Sequence, residues 1–191
     1  MDKKSLQNKI VRMVKEAKAA SQTMGLIKTS VKNAALKKMA KALRANISYL
    51  VKENKKDLKA ARTQGLSSAL IDRLTLNEVR ISGMAQCLLD TVAIKDPVAE
   101  IMETIHRPNG LVIKKVRVPI GVIGIIYESR PNVTSDCVGL CLKSGNSVIL
   151  KGGKEAFYSN KAIYTVLRNA LKETTIPLGA IQFISSIDRA A

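Results

Sequence analysis

From Ser30 onward the apolar positions Leu36, Met39, Leu43, Ile47 and Leu50 step by three or four. That spacing predicts one face of a helix, with lysines and Arg44 filling the other. Leu66-Ser67-Ser68, after Gly65, breaks the pattern. Thr75-Leu76-Asn77-Glu78 then reads as a capping box, in which the Thr75 hydroxyl and the Glu78 carboxylate serve each other's backbone amides. The helix it opens should carry Val79, Met84, Cys87 and Leu88 on its apolar face and stop at Asp96-Pro97. After residue 104 the period changes. Asn109-Gly110 sits between Ile105-His106 and Leu111-Val112-Ile113, which favours a hairpin turn. Its second arm, Leu111 to Val118, is β-branched and basic and ends at Pro119.

Beyond Pro119 strands and helices alternate. Val122–Tyr127 predicts a buried strand, Val133–Lys143 a helix, Ser147–Lys151 a second strand, Phe157–Lys172 a second helix and Ala180–Ser185 a third strand. Turns fall at Ser144-Gly145-Asn146, Gly152-Gly153 and Pro177-Leu178-Gly179. This βαβαβ order marks an α/β fold with a doubly wound parallel sheet. The expected organisation is an N-terminal helical part over 1–104, a β-hairpin over 105–118, and the first half of a dinucleotide-binding sheet over 119–191. The last residues, Ile187-Asp188-Arg189-Ala190-Ala191, come three strands in, where such a sheet normally continues. An incomplete sheet leaves an unpaired edge, so marginal stability or aggregation is expected of the isolated chain. There is no internal repeat and no low-complexity linker. Open parallel sheets bind ligands beyond the carboxyl ends of their strands. Glu128-Ser129-Arg130-Pro131-Asn132, at the end of the first such strand, is therefore where a site is expected.

With 191 residues, 46% of them hydrophobic, the chain is long enough to bury a sizeable core. No apolar run approaches the ~20 residues of a membrane span, and the charged, amphipathic N-terminus is not a secretory signal. Cys87, Cys137 and Cys141 are odd in number and form no CxxC pair. This points to reduced thiols in a cytoplasmic protein, with no disulfide framework and no metal site. All three read as small buried hydrophobes, and the lone His106 is assigned no role. The net charge of +17 raises the question of nucleic acid. Residues 1–60 hold 16 Lys and Arg against 4 Asp and Glu, a net of +12, mostly lysine on helical stretches. Base-reading and strand-stacking surfaces use arginine and aromatic rings, and aromatics are 3% here. A solvated lysine face that also draws anionic small molecules is favoured, with no nucleic-acid partner.

No G-x-G-x-x-G follows any strand. The stretch VPIGVIGIIYESRPNVT, followed by LCLKSGNSVILKGGKEA, nevertheless strongly resembles the γ-glutamyl phosphate reductases of the aldehyde dehydrogenase superfamily. The resemblance extends through GLSSALIDRLTLNEVRISGMA, IKDPV and PLGAIQFISSIDRAA, essentially the whole chain, which then covers only the N-terminal part of a family member. It implies reduction of L-glutamyl 5-phosphate by NADPH to L-glutamate 5-semialdehyde and phosphate in proline biosynthesis. A cysteine thiolate displaces phosphate, and the resulting thioester is reduced by the nicotinamide.

The resemblance also implies site residues. Asn132 matches the superfamily's oxyanion asparagine, against the plainer reading that it caps the following helix. Glu128 and Arg130 are candidates for orienting the substrate, or form a structural pair at the turn. Lys151 matches the lysine that hydrogen-bonds the adenosine ribose. Lys154 stands where NAD-preferring relatives tend to carry a glutamate, which points to NADP(H). Gly152 and Gly153 let the backbone approach the cofactor without a Cβ in the way. Ser185 and Ser186 line the same cleft in this reading. The family's nucleophilic cysteine lies in a threonine-cysteine-asparagine segment with no counterpart here. Glutamate 5-kinase is the implied upstream partner, and the hairpin is a candidate for pairing with a second copy. The rival readings are a truncated, non-catalytic nucleotide-binding fragment and, less favoured, the reductase half of a bifunctional kinase–reductase, since the chain opens on its own methionine.

Overall fold

The computed structural model describes residues 3–187; the expected turn residues Asp188 to Ala191 lie outside them. The chain opens with helices α1 (Lys3–Met24), α2 (Thr29–Ala45), α3 (Ile47–Thr63), α4 (Ser68–Leu74) and α5 (Glu78–Ala93). Strands β1 (Ile101–His106) and β2 (Val112–Val116) follow. Then come β3 (Val122–Ile126), α6 (Asn132–Lys143), β4 (Ser147–Lys151), α7 (Phe157–Leu171) and β5 (Ile181–Phe183). The sheet β3-β4-β5 is parallel, and β1 and β2 form a separate antiparallel pair. No helix among the described residues is long and apolar enough to cross a membrane.

The apolar stripe from Leu36 to Leu50 spans two helices rather than one. Asn46 leaves helical geometry at φ −112°, ψ 20°, yet its N–H still reaches the carbonyls of Ala42 and Leu43. Leu50 N–H in turn donates to the Asn46 carbonyl at 2.9 Å. The helical phase survives the break, so Leu36, Met39, Leu43 and Leu50 all reach the core. Ser67 opens α4, its hydroxyl accepting from Leu70 N–H at 3.4 Å.

The expected capping box does not form. Asn77 caps α5, accepting from Arg80 N–H at 2.8 Å. The Thr75 hydroxyl instead donates back to the Ile71 carbonyl at 2.7 Å. Leu76 N–H donates to Asn54 Oδ1 of α3 at 2.9 Å, so a tertiary contact takes over part of the local capping. The buried face of α5 is Ile81, Met84, Ala85, Leu88 and Thr91. Val79 is 78% exposed and Cys87 is exposed; both lie outside the face assigned to them.

The hairpin's first strand begins at Ile101, ahead of residue 105. Its turn runs through Arg107 to Gly110, closed by Gly110 N–H to the Arg107 carbonyl at 3.0 Å and Arg107 N–H to the Leu111 carbonyl at 2.9 Å. Gly110 takes φ 83°, which glycine adopts without steric cost. Both strands are exposed nearly throughout.

β4 is central and covered on both faces. Val148 and Leu150 enter the main core with α2, α5, α6 and α7, while Ile149, on the other side of the pleat, is buried as well. β3 differs from the buried run expected of it. One flank carries no partner strand among the described residues, and Ile126 is 87% exposed. The turn into β4 is set by α6, whose C-terminus closes with Gly145 N–H to the Leu142 carbonyl and Asn146 N–H to the Cys141 carbonyl. Asn146 Oδ1 then accepts from Gly121 N–H at 2.8 Å, tying the start of β3 to the start of β4. Most lysines face outward, but Lys32 is fully buried and paired with Asp96 at 2.7 Å.

Candidate active site

Beyond the carboxyl ends of β3 and β4 lies a cavity of about 330 Å³. Tyr127 and Glu128 line one side, and Lys151, Gly152, Gly153, Lys154 and Glu155 the other. Lys151 Nζ donates to the Ser186 carbonyl at 2.6 Å, which leaves two ammonium protons for a ligand. The side chain of Lys154 is exposed and makes no hydrogen bond or ion pair among the described residues. A second cavity of about 310 Å³ continues past Lys154 and Glu155 to Asp57, Tyr158 and Ser185. Ser185 Oγ accepts from Lys9 Nζ at 3.1 Å.

Gly152 is required by the protein's own packing, and Gly153 is closely approached by its neighbours. A Cβ on Gly152 would collide with the Asn160 amide and come within 3.3 Å of the Tyr127 ring. A Cβ on Gly153 would meet the Glu155 carboxylate and the Glu128 backbone. Beneath the loop runs a buried chain of polar groups. Thr134 Oγ1 donates to Asn160 Oδ1 at 3.1 Å, so Tyr127 donates to Thr134 at 2.6 Å. Burial pushes the Tyr127 phenol up to about 12, so it remains a donor. This chain links the end of β3 to α6 and α7.

A second anchor comes from α3. Asp57, 2% exposed, accepts from Tyr158 N–H at 3.1 Å, Ser159 N–H at 2.8 Å and Ser159 Oγ at 2.5 Å. One carboxylate thereby caps the first turn of α7 from another helix, opposite the positive end of its dipole. Asn54, one turn earlier on α3, bonds Ser159 Oγ and the Leu74 carbonyl. Neither residue was singled out in the sequence, yet a signal was present. Leu50, Asn54, Asp57 and Ala61 share the buried stripe of α3, and polar residues on such a stripe need internal partners.

Asn132 is the first residue of α6, after Pro131. It is not the helix cap: its Nδ2 donates to Asp136 Oδ2 one turn on, at 3.1 Å. It opens onto a different cavity, of about 390 Å³, together with Arg130, Asp136 and residues of α4 and α5. Glu128 and Arg130 make no ion pair among the described residues; one faces each cavity. The structure thus brings Glu128 together with Lys151–Lys154, and Arg130 together with Asn132.

The β4 end offers a nucleotide two lysines without a carboxylate partner among the described residues, a backbone with no Cβ at two successive positions and a cavity beyond the strand ends. A profile of the aldehyde dehydrogenase family matches residues 3–191. The chain belongs to that family. Aldehyde dehydrogenase family membership implies a nicotinamide cofactor. The gamma-glutamyl phosphate reductase of Syntrophomonas wolfei is 50% identical over 188 residues, 98% of this chain and 45% of its own length. That of Carboxydothermus hydrogenoformans is 50% identical over 184 residues, 96% of this chain and 44% of its own. The crystal structure of gamma-glutamyl phosphate reductase from Thermotoga maritima superposes with a TM-score of 0.92 at 43% identity, covering 94% of this chain and 44% of that one. A probable aldehyde dehydrogenase from Listeria monocytogenes, at 16% identity and TM-score 0.74, shares the fold. The chain spans less than half the length of the curated relatives it matches.

The three cysteines are not equivalent to one another. Cys141 is buried, Cys137 half-buried and Cys87 exposed. Burial pushes all three thiols up, Cys141 to about 12. None is poised as a thiolate at neutral pH.

Proposed function

We propose that this chain supplies the cofactor cleft and the oxyanion donor of an NADPH-dependent reductase. The enzyme converts L-glutamyl 5-phosphate to L-glutamate 5-semialdehyde and phosphate in proline biosynthesis. The observation that carries this reading is the 50% identity to a gamma-glutamyl phosphate reductase along 98% of the chain. The nucleophilic cysteine that the family resemblance implies has no counterpart among these 191 residues.

When bound, the nicotinamide supplies the hydride. The chain's own residues bind and polarise. Asn132 Nδ2 keeps one proton for the carbonyl oxygen, where negative charge develops as the nucleophile adds and is released as phosphate departs; loss of such a donor costs about 10²–10³ in rate. Lys151 holds ribose hydroxyls with the protons not given to Ser186. Lys154 attracts the 2′-phosphate, where a carboxylate would repel it. The loop meets the cofactor already fixed, since Asp57 and the Tyr127–Thr134–Asn160 chain set its position beforehand. A non-catalytic nucleotide-binding chain is the second reading, favoured by the absence of any poised thiolate.

Fluorescence titration of the 191-residue chain with NADPH and NADH tests the proposal. NADPH should bind more tightly, and Lys154→Glu should reverse the preference, weakening NADPH by about tenfold or more, as expected for a charge-assisted contact. Equal affinity for the two cofactors in both proteins would refute the role of Lys154.

A further inference from the structure

We propose that the cavity around Asn132 seats the α-amino-acid head of the substrate, Asp136 receiving its ammonium and Arg73 and Arg130 its carboxylate. This rests on the reductase reading for the identity of the ligand. The geometry rests on the cavity itself.

The cavity, about 390 Å³, is lined by Asn132 and by residues of α4 and α5. Its charges divide into two sets. Asp72 and Arg80 satisfy each other at 2.7 Å, and the Arg80 guanidinium also reaches the Asp72 and Thr75 carbonyls. They close the wall. Arg73 and Arg130 make no side-chain hydrogen bond or ion pair among the described residues. Among the described residues Asp136 accepts from Asn132 Nδ2 at 3.1 Å and Ser135 Oγ at 3.5 Å and meets no cation, which leaves acceptor capacity. Charges of both signs therefore line one cavity without neutralising each other. A phosphate alone would meet the Asp136 carboxylate, and an apolar ligand would strip water from all three groups. A group carrying ammonium and carboxylate on one carbon answers both signs.

The spacing supports the same orientation. Asn132 Nδ2 and Asp136 Oδ2 lie 3.1 Å apart on one face of α6. The glutamyl chain separates its reacting carbonyl from its α-carbon by two methylenes. A carbonyl held at the amide and an ammonium held at the carboxylate are thus presented to the same side of the cavity. Burial holds the Asp136 carboxyl above the usual carboxylate range, and an arriving ammonium would draw it back down. The cavity at Lys151–Lys154 shares no lining residue with this one.

Cys87 lines the Asn132 cavity and is exposed, so its alkylation reports occupancy. The chain is treated with iodoacetamide, and modification of the Cys87 peptide is followed by mass spectrometry. L-Glutamate should slow it by about tenfold at ten times its Kd. Glutarate, which lacks the ammonium, and 4-aminobutyrate, which lacks the carboxylate, should give little protection at the same concentration. Asp136→Asn and Arg73→Gln should each abolish the L-glutamate effect while the thermal midpoint stays close to that of the parent. Equal protection by glutarate, protection retained in both variants, or no protection by L-glutamate overturns the proposal. NADPH titration of the same sample separates the two claims. NADPH binding without Cys87 protection defeats the cavity assignment alone; protection without NADPH binding defeats the reductase reading and leaves an amino-acid site.

Discussion

The two cavities at the end of the sheet are built in opposite ways. The loop at Lys151–Lys154 rests on residues that are almost wholly buried: Asp57, Thr134, Ser159 and Asn160. Gly152 there has no room for a Cβ beside the buried Asn160 amide. The Asn132 cavity is walled by exposed arginines, and its central amide is held by a single hydrogen bond to Asp136. One is fixed by the core of this chain, whereas the other is an open surface with unpaired charge. The loop at Lys151–Lys154 is thus preorganised by local folding, whereas the Asn132 cavity carries charges left without partners among the described residues.

Substitutions can break that contrast. The largest effect belongs to Asp57→Ala, which leaves the buried Ser159 N–H without its acceptor and also removes the acceptor of the Ser159 hydroxyl and of the part-buried Tyr158 N–H. Leaving buried donors unpaired costs about 1–3 kcal/mol each, so chemical denaturation should show a loss near 3 kcal/mol or more, with NADPH affinity falling alongside. Gly152→Ala comes next. The added methyl must displace Asn160, an overpacking cost of about 1–3 kcal/mol, and NADPH binding should weaken even where the fold survives. Asn132→Ala should shift the melt by no more than about 0.5 kcal/mol, since an exposed i,i+4 contact is worth little. Equal destabilisation by Asn132→Ala and Gly152→Ala would erase the difference between the two regions.

The smallest effect is in pH. Burial raises the Asp136 carboxyl in the folded state, so between its ordinary value and the raised one the native protein binds more protons than the unfolded chain. Stability from this group therefore falls as pH rises through that window. Asp136→Asn should flatten that part of the pH profile of the thermal midpoint; a profile unchanged by the substitution would mean that Asp136 is as well solvated folded as unfolded.

Much of this was legible in the sequence, for physical reasons. The alternation after Pro119 reads directly as βαβαβ because strand and helix periods differ and glycine or proline marks each turn. Gly145 and Asn146 announced the end of α6. What escaped was tertiary. The capping box at Thr75 fails because Thr75 closes α4 instead, its N–H on the Asp72 carbonyl and its hydroxyl on the Ile71 carbonyl, while Asn54 from α3 holds the next amide, that of Leu76. The break at Asn46 leaves no trace because the apolar phase continues across it. β3 reads as buried because its composition suits a covered strand, and its residues say nothing of which flank is covered. Asp57 lay hidden among lysines, visible only to a reading that asks why a carboxylate occupies a core stripe. At the site, Asn132 and the lysine-glycine loop were placed by resemblance, whereas their separation into two cavities needed coordinates.

The central claim is that the cofactor loop is complete and set in advance within this chain. Amide hydrogen exchange with and without NADPH tests it most directly. The account predicts slow exchange at Tyr158 and Ser159 in the free chain, further protection on NADPH addition confined to the 151–156 loop, and no change in the exposed hairpin of β1 and β2. Fast exchange at the start of α7 in the free chain, or NADPH-induced protection spread over the whole chain, would contradict it, because the loop would then be formed by the ligand.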